Sequence, residues 1–185
     1  MVRGRPGVAG VLLVGGASRR FGSPKALARF RGELLAERAY RVLEEAFDDV
    51  LAVGKAADAL PLPFPVLDDG SELRAPIVGV AAGLRLTPTE LCVFLPTDMP
   101  WVTPELLRTL ANAAAGLDAA VPRTGPLPGA YRRSALPALE RRIAAGELAL
   151  RDALVELRTR EVELDERLLG NVNTPADLPT SRARG

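Results

Sequence analysis

The fold is decided between Val8 and Lys25. This stretch reads Val8-Ala-Gly-Val-Leu-Leu-Val14 and then Gly15-Gly-Ala-Ser-Arg-Arg-Phe-Gly-Ser-Pro-Lys25. Its first part is continuously apolar, which predicts a β-strand buried on both faces, as in a parallel sheet covered by helices. Its second part is rich in glycine, so the backbone can turn sharply and bring N–H groups close to an anion. The stretch therefore predicts a strand that leads into an anion-binding loop.

The charges of this loop indicate that the anion is a phosphate. Arg19 and Lys25 add fixed positive charge to the N–H groups of Gly15 and Gly16. The spacing matches neither the Walker A loop nor the Gly-x-Gly-x-x-Gly fingerprint. A tight turn with solvated charges is the alternative, because glycine-rich loops are common. Lys25 argues against that alternative, since the chain uses arginine almost throughout and has only one other lysine, Lys55.

Beyond the loop, short apolar runs alternate with longer amphipathic ones. This alternation predicts an α/β fold, a three-layer Rossmann-like domain whose mostly parallel sheet carries helices on both faces. The 185 residues are expected to form one domain, 1–185, with flexible ends at 1–7 and 179–185. Arg38 and Arg41 are interpreted as part of a solvated helix face. Strands are predicted at 50–53, 65–67, 91–95, 118–122 and 160–164, and helices at 33–47, 77–86, 104–115, 134–145 and 148–157.

The composition restricts the chemistry that the protein can perform. The chain has no histidine, which excludes Ser-His-Asp and Cys-His nucleophiles and imidazole metal sites. Any metal is therefore expected to be a hard cation on oxygen ligands. The single cysteine, Cys92, lies in an apolar run and is interpreted as a core residue in a reducing compartment. A net charge of +1 and the lack of a membrane-length apolar run predict a cytoplasmic protein that binds neither nucleic acid nor membrane.

Two acidic residues and one late loop are further candidates for the site. Asp69 and Asp98 each follow a predicted strand, where open α/β sheets bind ligands, and Mg²⁺ is commonly held by one or two carboxylates plus substrate phosphates. The alternatives are a turn at Asp68-Asp-Gly70 and an Asx turn or helix cap at Asp98. The loop Asn171-Val-Asn-Thr-Pro175 suits a polar heterocycle, but Asn-Thr-Pro is equally typical of a helix start.

Together these motifs resemble the molybdenum cofactor guanylyltransferases, a family of Rossmann-like nucleotidyltransferases. Leu13 to Lys25 is similar to the family's Leu-x-Gly-Gly-x-Ser-x-Arg-Met-Gly-x-x-Lys loop. Pro96-Thr-Asp-Met-Pro100 resembles its metal-binding strand end, and Asn171 to Pro175 resembles its C-terminal Asn-x-Asn-Thr-Pro. The resemblance extends from about Val8 to Leu178.

The resemblance implies the transfer of GMP from GTP to molybdopterin that carries molybdenum, with release of pyrophosphate. It also implies Mg²⁺ bound by Asp98, and proteins that deliver the molybdenum cofactor as further partners. The implied catalytic residues are Arg19, Lys25 and Asp98, and Asn171 and Asn173 are expected near the pterin. The implied nucleotide contacts are Leu13, Val14, Gly15, Gly16, Lys25, Asp69 and Asp98.

The chain also departs from this family. Val53-Gly54 stands where the family often has a polar residue, commonly Asn, and Ala75-Pro-Ile-Val-Gly79 replaces a Gly-Pro-Leu-x-Gly turn. Two alternatives therefore stay open. One is a cytidylyltransferase or another nucleotidyltransferase with a different phosphate acceptor, although Val14-Gly-Gly16 favours guanine over the Ala-Ala-Gly usual in cytidylyltransferases. The other is a nucleotide-binding module that has lost catalysis.

Overall fold

The computed structural model describes residues 7–15 and 24–178. The predicted flexible ends, apart from Gly7, and the loop residues Gly16 and Arg19 lie outside the described residues. The strands are β1 (Val8–Leu13), β2 (Arg29–Phe30), β3 (Glu33–Leu34), β4 (Asp49–Gly54), β5 (Val66–Asp68), β6 (Leu91–Pro96), β7 (Ala119–Pro122), β8 (Gly129–Arg132) and β9 (Thr159–Val162). The helices are α1 (Leu35–Ala46), α2 (Pro76–Leu86), α3 (Pro104–Ala113), α4 (Leu136–Ala144) and α5 (Leu150–Ala153).

Seven of the strands form one sheet in the order β5-β4-β1-β6-β8-β7-β9. Neighbouring strands are parallel except at β8, which runs antiparallel to both β6 and β7. Every residue of β1 is buried, as its continuous apolar run predicts. β1 pairs with β4 on one side and with β6 on the other, so the chain changes its winding direction beside β1. In open α/β sheets the ligand crevice lies at such a switch point.

Helices cover both faces of the sheet. α1 and α3 pack on one face, while α2, α4 and α5 pack on the other. In α1 the residues Ala36, Ala39, Leu43 and Ala46 recur at helical spacing and are all buried. α2 approaches the sheet so closely that a Cβ at Gly83 would overlap the Phe94 ring. The predicted three-layer, mostly parallel α/β fold is confirmed.

Several elements differ from the sequence prediction. Glu33 and Leu34 pair with the short strand β2, so helix α1 begins at Leu35 rather than at residue 33. The strand β8 was not predicted, because four residues carry too short a pattern and its burial depends on the strands at its sides. The predicted helix 148–157 contains only α5 and a 3₁₀ turn at Leu154–Glu156, and Val155 in that turn is exposed. Within the described ranges no helix is long and apolar enough to cross a membrane.

Asp118 joins the far strands of the sheet through a charged hydrogen-bond network. Its carboxylate accepts hydrogen bonds from the Arg158 Nε at 3.0 Å and from the Ser134 Oγ at 2.6 Å. The bond from the Arg158 guanidinium is the main reason why the pKa of the Asp118 carboxyl lies well below its ordinary value of 3.8. A carboxyl with a lowered pKa stabilises the fold above its unfolded-state pKa and loses that contribution as the pH falls further.

We therefore expect Asp118→Asn to lower Tm at pH 7 by about 2–4 °C, the shift typical of a modest loss of stability in a domain of this size. The difference from the unmodified protein should narrow as the pH is lowered below about 3.8, where the unfolded chain takes up the proton. Thermal unfolding at a series of pH values measures this. Asp152→Asn, at an exposed position of α5, is the control. A difference in Tm that does not vary with pH would show that Asp118 acts through packing instead.

Candidate functional site

The carboxyl ends of β1, β4, β5 and β6 lie at one edge of the sheet. Leu13, the last residue of β1, pairs with Val53 of β4 and with Pro96 of β6. The Val14 N–H donates to the Val53 carbonyl at 2.8 Å, and Gly15 then takes a φ of +142°, a region that favours glycine. Residues 13–15, which are predicted to contact the nucleotide, therefore lie at the end of a central strand, at the switch point of the sheet.

The dipeptide Val53-Gly54 has a packing role at this edge. Val53 is 1% exposed and belongs to the core cluster beneath α2. A Cβ built at Gly54 would overlap the backbone carbonyl oxygen of Val14, so the close approach of β1 and β4 requires glycine there. Neither residue presents a polar side chain to the sheet edge.

Lys25 and Asp98 form an ion pair at the switch point. The Lys25 Nζ lies 3.1 Å from the Asp98 Oδ2, and the two side chains are 21% and 22% exposed. Among residues 7–15 and 24–178 no backbone N–H donates to the Asp98 carboxylate, and α3 is capped by Thr103, which accepts from the Leu106 N–H at 3.3 Å. The interpretation of Asp98 as an Asx turn or a helix cap is therefore wrong. The pair remains accessible to a ligand.

The late loop lies directly against Asp98. The Val172 N–H donates to the Asp98 carbonyl oxygen at 2.8 Å, and the Val172 side chain is fully buried. Asn171 and Asn173, on either side of it, are exposed. A residue at the end of β6 and a loop more than seventy residues later in the chain are thus joined by a backbone hydrogen bond.

The same loop also starts a short helix, as the alternative interpretation predicted. Thr174 and Asp177 form a capping box around the 3₁₀ turn Pro175–Asp177. The Asp177 Oδ2 accepts from the N–H groups of Asn173 and Thr174 at 2.8 Å each. These two hydrogen bonds lower the pKa of the Asp177 carboxyl, and the positive charge of Lys25 lowers it further. The loop is therefore held by its own hydrogen bonds within electrostatic reach of Lys25.

A small apolar cluster packs against the turn that follows β6, which contains Asp98. Phe30 and Trp101 meet edge to face with ring centroids 5.3 Å apart, and Val172 packs in the same cluster. The Arg38 Nε donates to the Pro100 carbonyl at 2.6 Å, and its guanidinium lies 5.2 Å from the Phe30 ring centroid. The interpretation of Arg38 as a solvated residue is therefore wrong, because the turn after β6 reaches over this position of α1. Arg41, one turn further on, does lie at the surface and pairs with acidic residues.

Asp68-Asp-Gly70 forms the predicted turn. The Asp68 Oδ1 accepts from the Gly70 N–H at 2.7 Å, its Oδ2 accepts from the Ala56 N–H at 2.7 Å, and Gly70 has a φ of +71°. These hydrogen bonds lower the pKa of the Asp68 carboxyl. Asp68 therefore closes the turn, while Asp69 points into the protein.

Asp69 is almost fully buried and is paired with Lys55. The side chains of Asp69 and Lys55 are 7% and 11% exposed, and the Lys55 Nζ lies 2.7 Å from the Asp69 Oδ1. Lys55 also donates to the carbonyl oxygens of Ser71 and Leu73. Sequence reasoning missed Lys55, although one signal was present: it is the second of two lysines and lies two residues after a predicted strand.

A cavity of about 280 Å³ lies beside this pair. Its lining includes Phe64, which stacks on Tyr40 of α1 with ring centroids 4.1 Å apart and an interplanar angle of 9°. The lining residues come from the ends of β1 and β4 and from the segment that leads into β5: Val14, Lys55, Ala56, Asp58, Ala59, Leu60, Phe64, Pro65 and Val66.

Comparison with known proteins identifies the family. The model of the MobA-like NTP transferase domain matches residues 10–161. The chain belongs to the MobA-like NTP transferases. It is 34% identical to a probable molybdenum cofactor guanylyltransferase of Pelotomaculum thermopropionicum, over 94% of this chain and 91% of that protein. A protein of the same description from Chloroflexus aggregans is 35% identical, over 95% of this chain and 94% of its own.

A solved structure supports the same assignment. The molybdopterin-guanine dinucleotide biosynthesis protein A of Archaeoglobus fulgidus superposes with a TM-score of 0.80 at 29% identity, covering 91% of this chain and 94% of that one. The fold class and the enzyme class predicted from the sequence, a Rossmann-like nucleotidyltransferase, are therefore confirmed. The resemblance to the molybdenum cofactor guanylyltransferases is confirmed as well.

The described members of the predicted site lie at one sheet edge of this MobA-like transferase. The loop between Gly15 and Pro24, with Gly16 and Arg19, lies outside the described residues. The described members come from the ends of β1, β5 and β6, from the turn after the loop and from the late loop: Leu13, Val14, Gly15, Lys25, Asp69, Asp98, Asn171 and Asn173.

Proposed function

We propose that this MobA-like transferase moves GMP from GTP to molybdopterin that carries molybdenum and releases pyrophosphate. The observation that carries the proposal is the accessible Lys25–Asp98 pair at the switch point, with the Asn171–Asn173 loop bonded to Asp98 through Val172. Two curated relatives covered over most of their length are described as probable molybdenum cofactor guanylyltransferases, which supports this choice of substrates. The partners in this proposal also include proteins that deliver the molybdenum cofactor.

The proposed reaction suits a protein without histidine. The acceptor is a phosphate, already anionic near neutral pH, so it needs no strong general base. Its oxygen forms a bond to the α-phosphorus of GTP, and the bond from that phosphorus to the bridging oxygen breaks, with the electron pair leaving on pyrophosphate. The protein must align two polyanions in line and neutralise the charge that develops between them.

The residues at the sheet edge divide this work. Lys25 binds the triphosphate as a compact point charge, together with Arg19 and the N–H groups of Gly15 and Gly16. Leu13 and Val14 contact the nucleotide at the end of β1, and Asp69 contacts it from the end of β5. Asn171 and Asn173 expose side chains that can donate and accept hydrogen bonds, which suits the pterin.

Asp98 fits a magnesium ion that arrives with the nucleotide. Mg²⁺ commonly binds one or two carboxylates and completes its coordination with substrate phosphates and water. In the part of the chain that the structure describes, no group of three or more Asp, Glu, His or Cys side chains is placed to hold a metal. A single accessible carboxylate beside the phosphate loop therefore suits a shared ion better than a permanently held one. When bound, Mg²⁺ supplies positive charge to the phosphate oxygens.

A nucleotide screen tests this proposal. Thermal unfolding is measured with GTP, CTP, ATP and UTP, each with Mg²⁺ and each with a chelator in place of Mg²⁺. A nucleotide at about one hundred times its Kd adds about 2.7 kcal/mol to the stability, so a clear rise in Tm is expected with GTP and Mg²⁺. Chelation should reduce the rise. A larger shift with CTP, or equal shifts with all four nucleotides, would contradict the choice of GTP.

A further inference from the structure

Each of the two lysines of the chain pairs with one of the two acidic residues proposed for the site. The Lys25–Asp98 pair spans 3.1 Å and each side chain is about one-fifth exposed. The Lys55–Asp69 pair spans 2.7 Å, and its side chains are 11% and 7% exposed. The first pair is open to a ligand and the second is nearly closed, so the two lysines must act in different ways.

The ammonium group of Lys55 is saturated by the protein. An ammonium has three N–H donors. Lys55 uses them on the Asp69 Oδ1, on the Leu73 carbonyl oxygen at 2.6 Å and on the Ser71 carbonyl oxygen. It therefore has no donor to offer a phosphate, and it binds the segment after β5 to the end of β4.

The Asp69 carboxylate is held at one oxygen only. Its Oδ1 accepts from Lys55 and from the Ser71 N–H at 3.0 Å, and the Asp69 N–H donates to the Gly54 carbonyl at 2.9 Å. Within the described ranges the second oxygen, Oδ2, accepts no hydrogen bond. Among the described side-chain polar atoms, only the Arg142 Nε is both buried and without a hydrogen-bond partner. Since the Asp69 Oδ2 has no partner in the described ranges, it must keep some contact with solvent.

A nearly buried carboxylate needs a positive partner, and Lys55 supplies it. The oxygen that stays open can accept one hydrogen bond from an N–H or O–H group. Its negative charge repels phosphates, which are expected at Lys25 on the other side of β1. The complementary part of a nucleotide is therefore the nucleoside, whose base and ribose carry neutral donors.

We propose that Lys55 is a positioning residue for nucleotide binding: it fixes Asp69 so that the free oxygen of the carboxylate accepts a hydrogen bond from the nucleoside. The proposal rests on the proposed function, because it takes GTP as the ligand. Lys55 itself does not touch the nucleotide. Its effect on binding must therefore pass through Asp69.

A double-mutant cycle tests this dependence. GTP affinity is measured by calorimetry with Mg²⁺ for Lys55→Met, Asp69→Asn and the double variant. Each single variant is expected to raise Kd by about tenfold, equivalent to about 1.4 kcal/mol or one hydrogen bond. The double variant should bind no more weakly than Asp69→Asn alone, since coupled residues give non-additive effects. KM for GTP should rise in the same proportion while kcat stays within about twofold, because Lys25 and Asp98 are unchanged.

The chain offers a matched control for the loss of an ion pair between the end of β4 and the segment after β5. Arg74 and Asp58 form an ion pair of 2.6 Å that joins the same two segments, and Arg74 is half exposed and hydrogen-bonds to neither Lys55 nor Asp69. Its charge acts on Asp69 only at a distance, so Arg74→Met should change GTP affinity by less than about twofold. If Lys55→Met does not fold, the double variant still tests the proposal, because replacing both charges leaves no lone buried ion.

The outcomes separate this inference from the proposed function. The positioning role would be overturned if the effects of Lys55→Met and Asp69→Asn on Kd simply added in the double variant. A double variant that binds GTP more weakly than Asp69→Asn alone would show this. A lowered Tm with a GTP affinity within about twofold of the unmodified protein would overturn the role as well, since this is the result of a purely structural lysine. An unmodified protein that binds CTP in preference to GTP would contradict the proposed function instead, and the same cycle measured with CTP then decides the role of Lys55.

Discussion

An Asp98→Asn variant is expected to fold normally and to lose GMP transfer by about 10²–10³-fold, the range typical for removal of a group that stabilises charge in a transition state. The Asp98 side chain is 22% exposed, and its described hydrogen bond is to Lys25. Removing such an accessible ion pair costs little stability, at most about 1 kcal/mol. The amide is a much poorer ligand for Mg²⁺, so the loss should appear in the rate. Pyrophosphate release and Tm, measured on the same preparation, separate the two effects.

Asp152→Asn is the matched control for this experiment. Asp152 is exposed on α5, on the opposite face of the sheet from α1, and the same change of charge there should leave the rate unaffected. The residual activity of Asp98→Asn should require a higher Mg²⁺ concentration than that of the unmodified protein. Full activity of Asp98→Asn at ordinary Mg²⁺ would show that Asp98 does not hold the metal.

A Lys25→Met variant is expected to lower kcat/KM for GTP by about 10²-fold, as when a positioned charge is removed from a transferring phosphate group. Lys25→Arg should recover only part of the loss. The guanidinium is planar and bulky, and it cannot place a compact charge where the Lys25 Nζ lies, 3.1 Å from the Asp98 carboxylate. Unlike Asp98→Asn, both Lys25 variants should keep the normal Mg²⁺ requirement. Initial rates over a matrix of GTP and Mg²⁺ concentrations distinguish the two sets of variants.

The control for Lys25 is Arg160→Met. Arg160 is exposed on β9, at the far edge of the sheet, so it tests the general loss of one positive charge from this protein. Its kcat/KM should equal that of the unmodified protein. A Lys25→Met protein with a kcat/KM within about twofold of the unmodified protein would remove Lys25 from the phosphate site.

The sequence predicted the part of the site that depends on regular structure. A continuously apolar strand at Val8 to Val14 indicates a parallel sheet, and the carboxyl ends of parallel strands meet at one edge. Lys25 and Asp98 were therefore both expected at this edge, and the structure places their side chains in contact. The late loop was a weak candidate on its own residues and was expected near the pterin through the resemblance, and the Val172 hydrogen bond to Asp98 gives the physical reason for its position.

The parts that were missed depend on contacts between elements. The pattern of α1 shows that Arg38 is not in the core, but not that the turn after β6 lies above it and accepts its hydrogen bond at Pro100. Likewise, the position of Lys55 after a strand does not show that the segment after β5 supplies the oxygen atoms that accept hydrogen bonds from its ammonium group. In both cases the partner atoms lie on another segment of the chain, and only the folded structure shows where that segment lies. The short strand β8 is a third example, because its burial is imposed by its neighbours.

The central claim is the transfer of GMP to molybdopterin, and one measurement tests it most directly. The protein is incubated with Mg²⁺, molybdenum-bearing molybdopterin and GTP labelled at the α-phosphorus, with α-labelled CTP in a parallel reaction. We expect the label from GTP to appear on the pterin, with an equal amount of pyrophosphate released, and the label from CTP to stay on the nucleotide. Label that reaches the pterin from CTP but not from GTP, or from neither nucleotide, would contradict the proposed function.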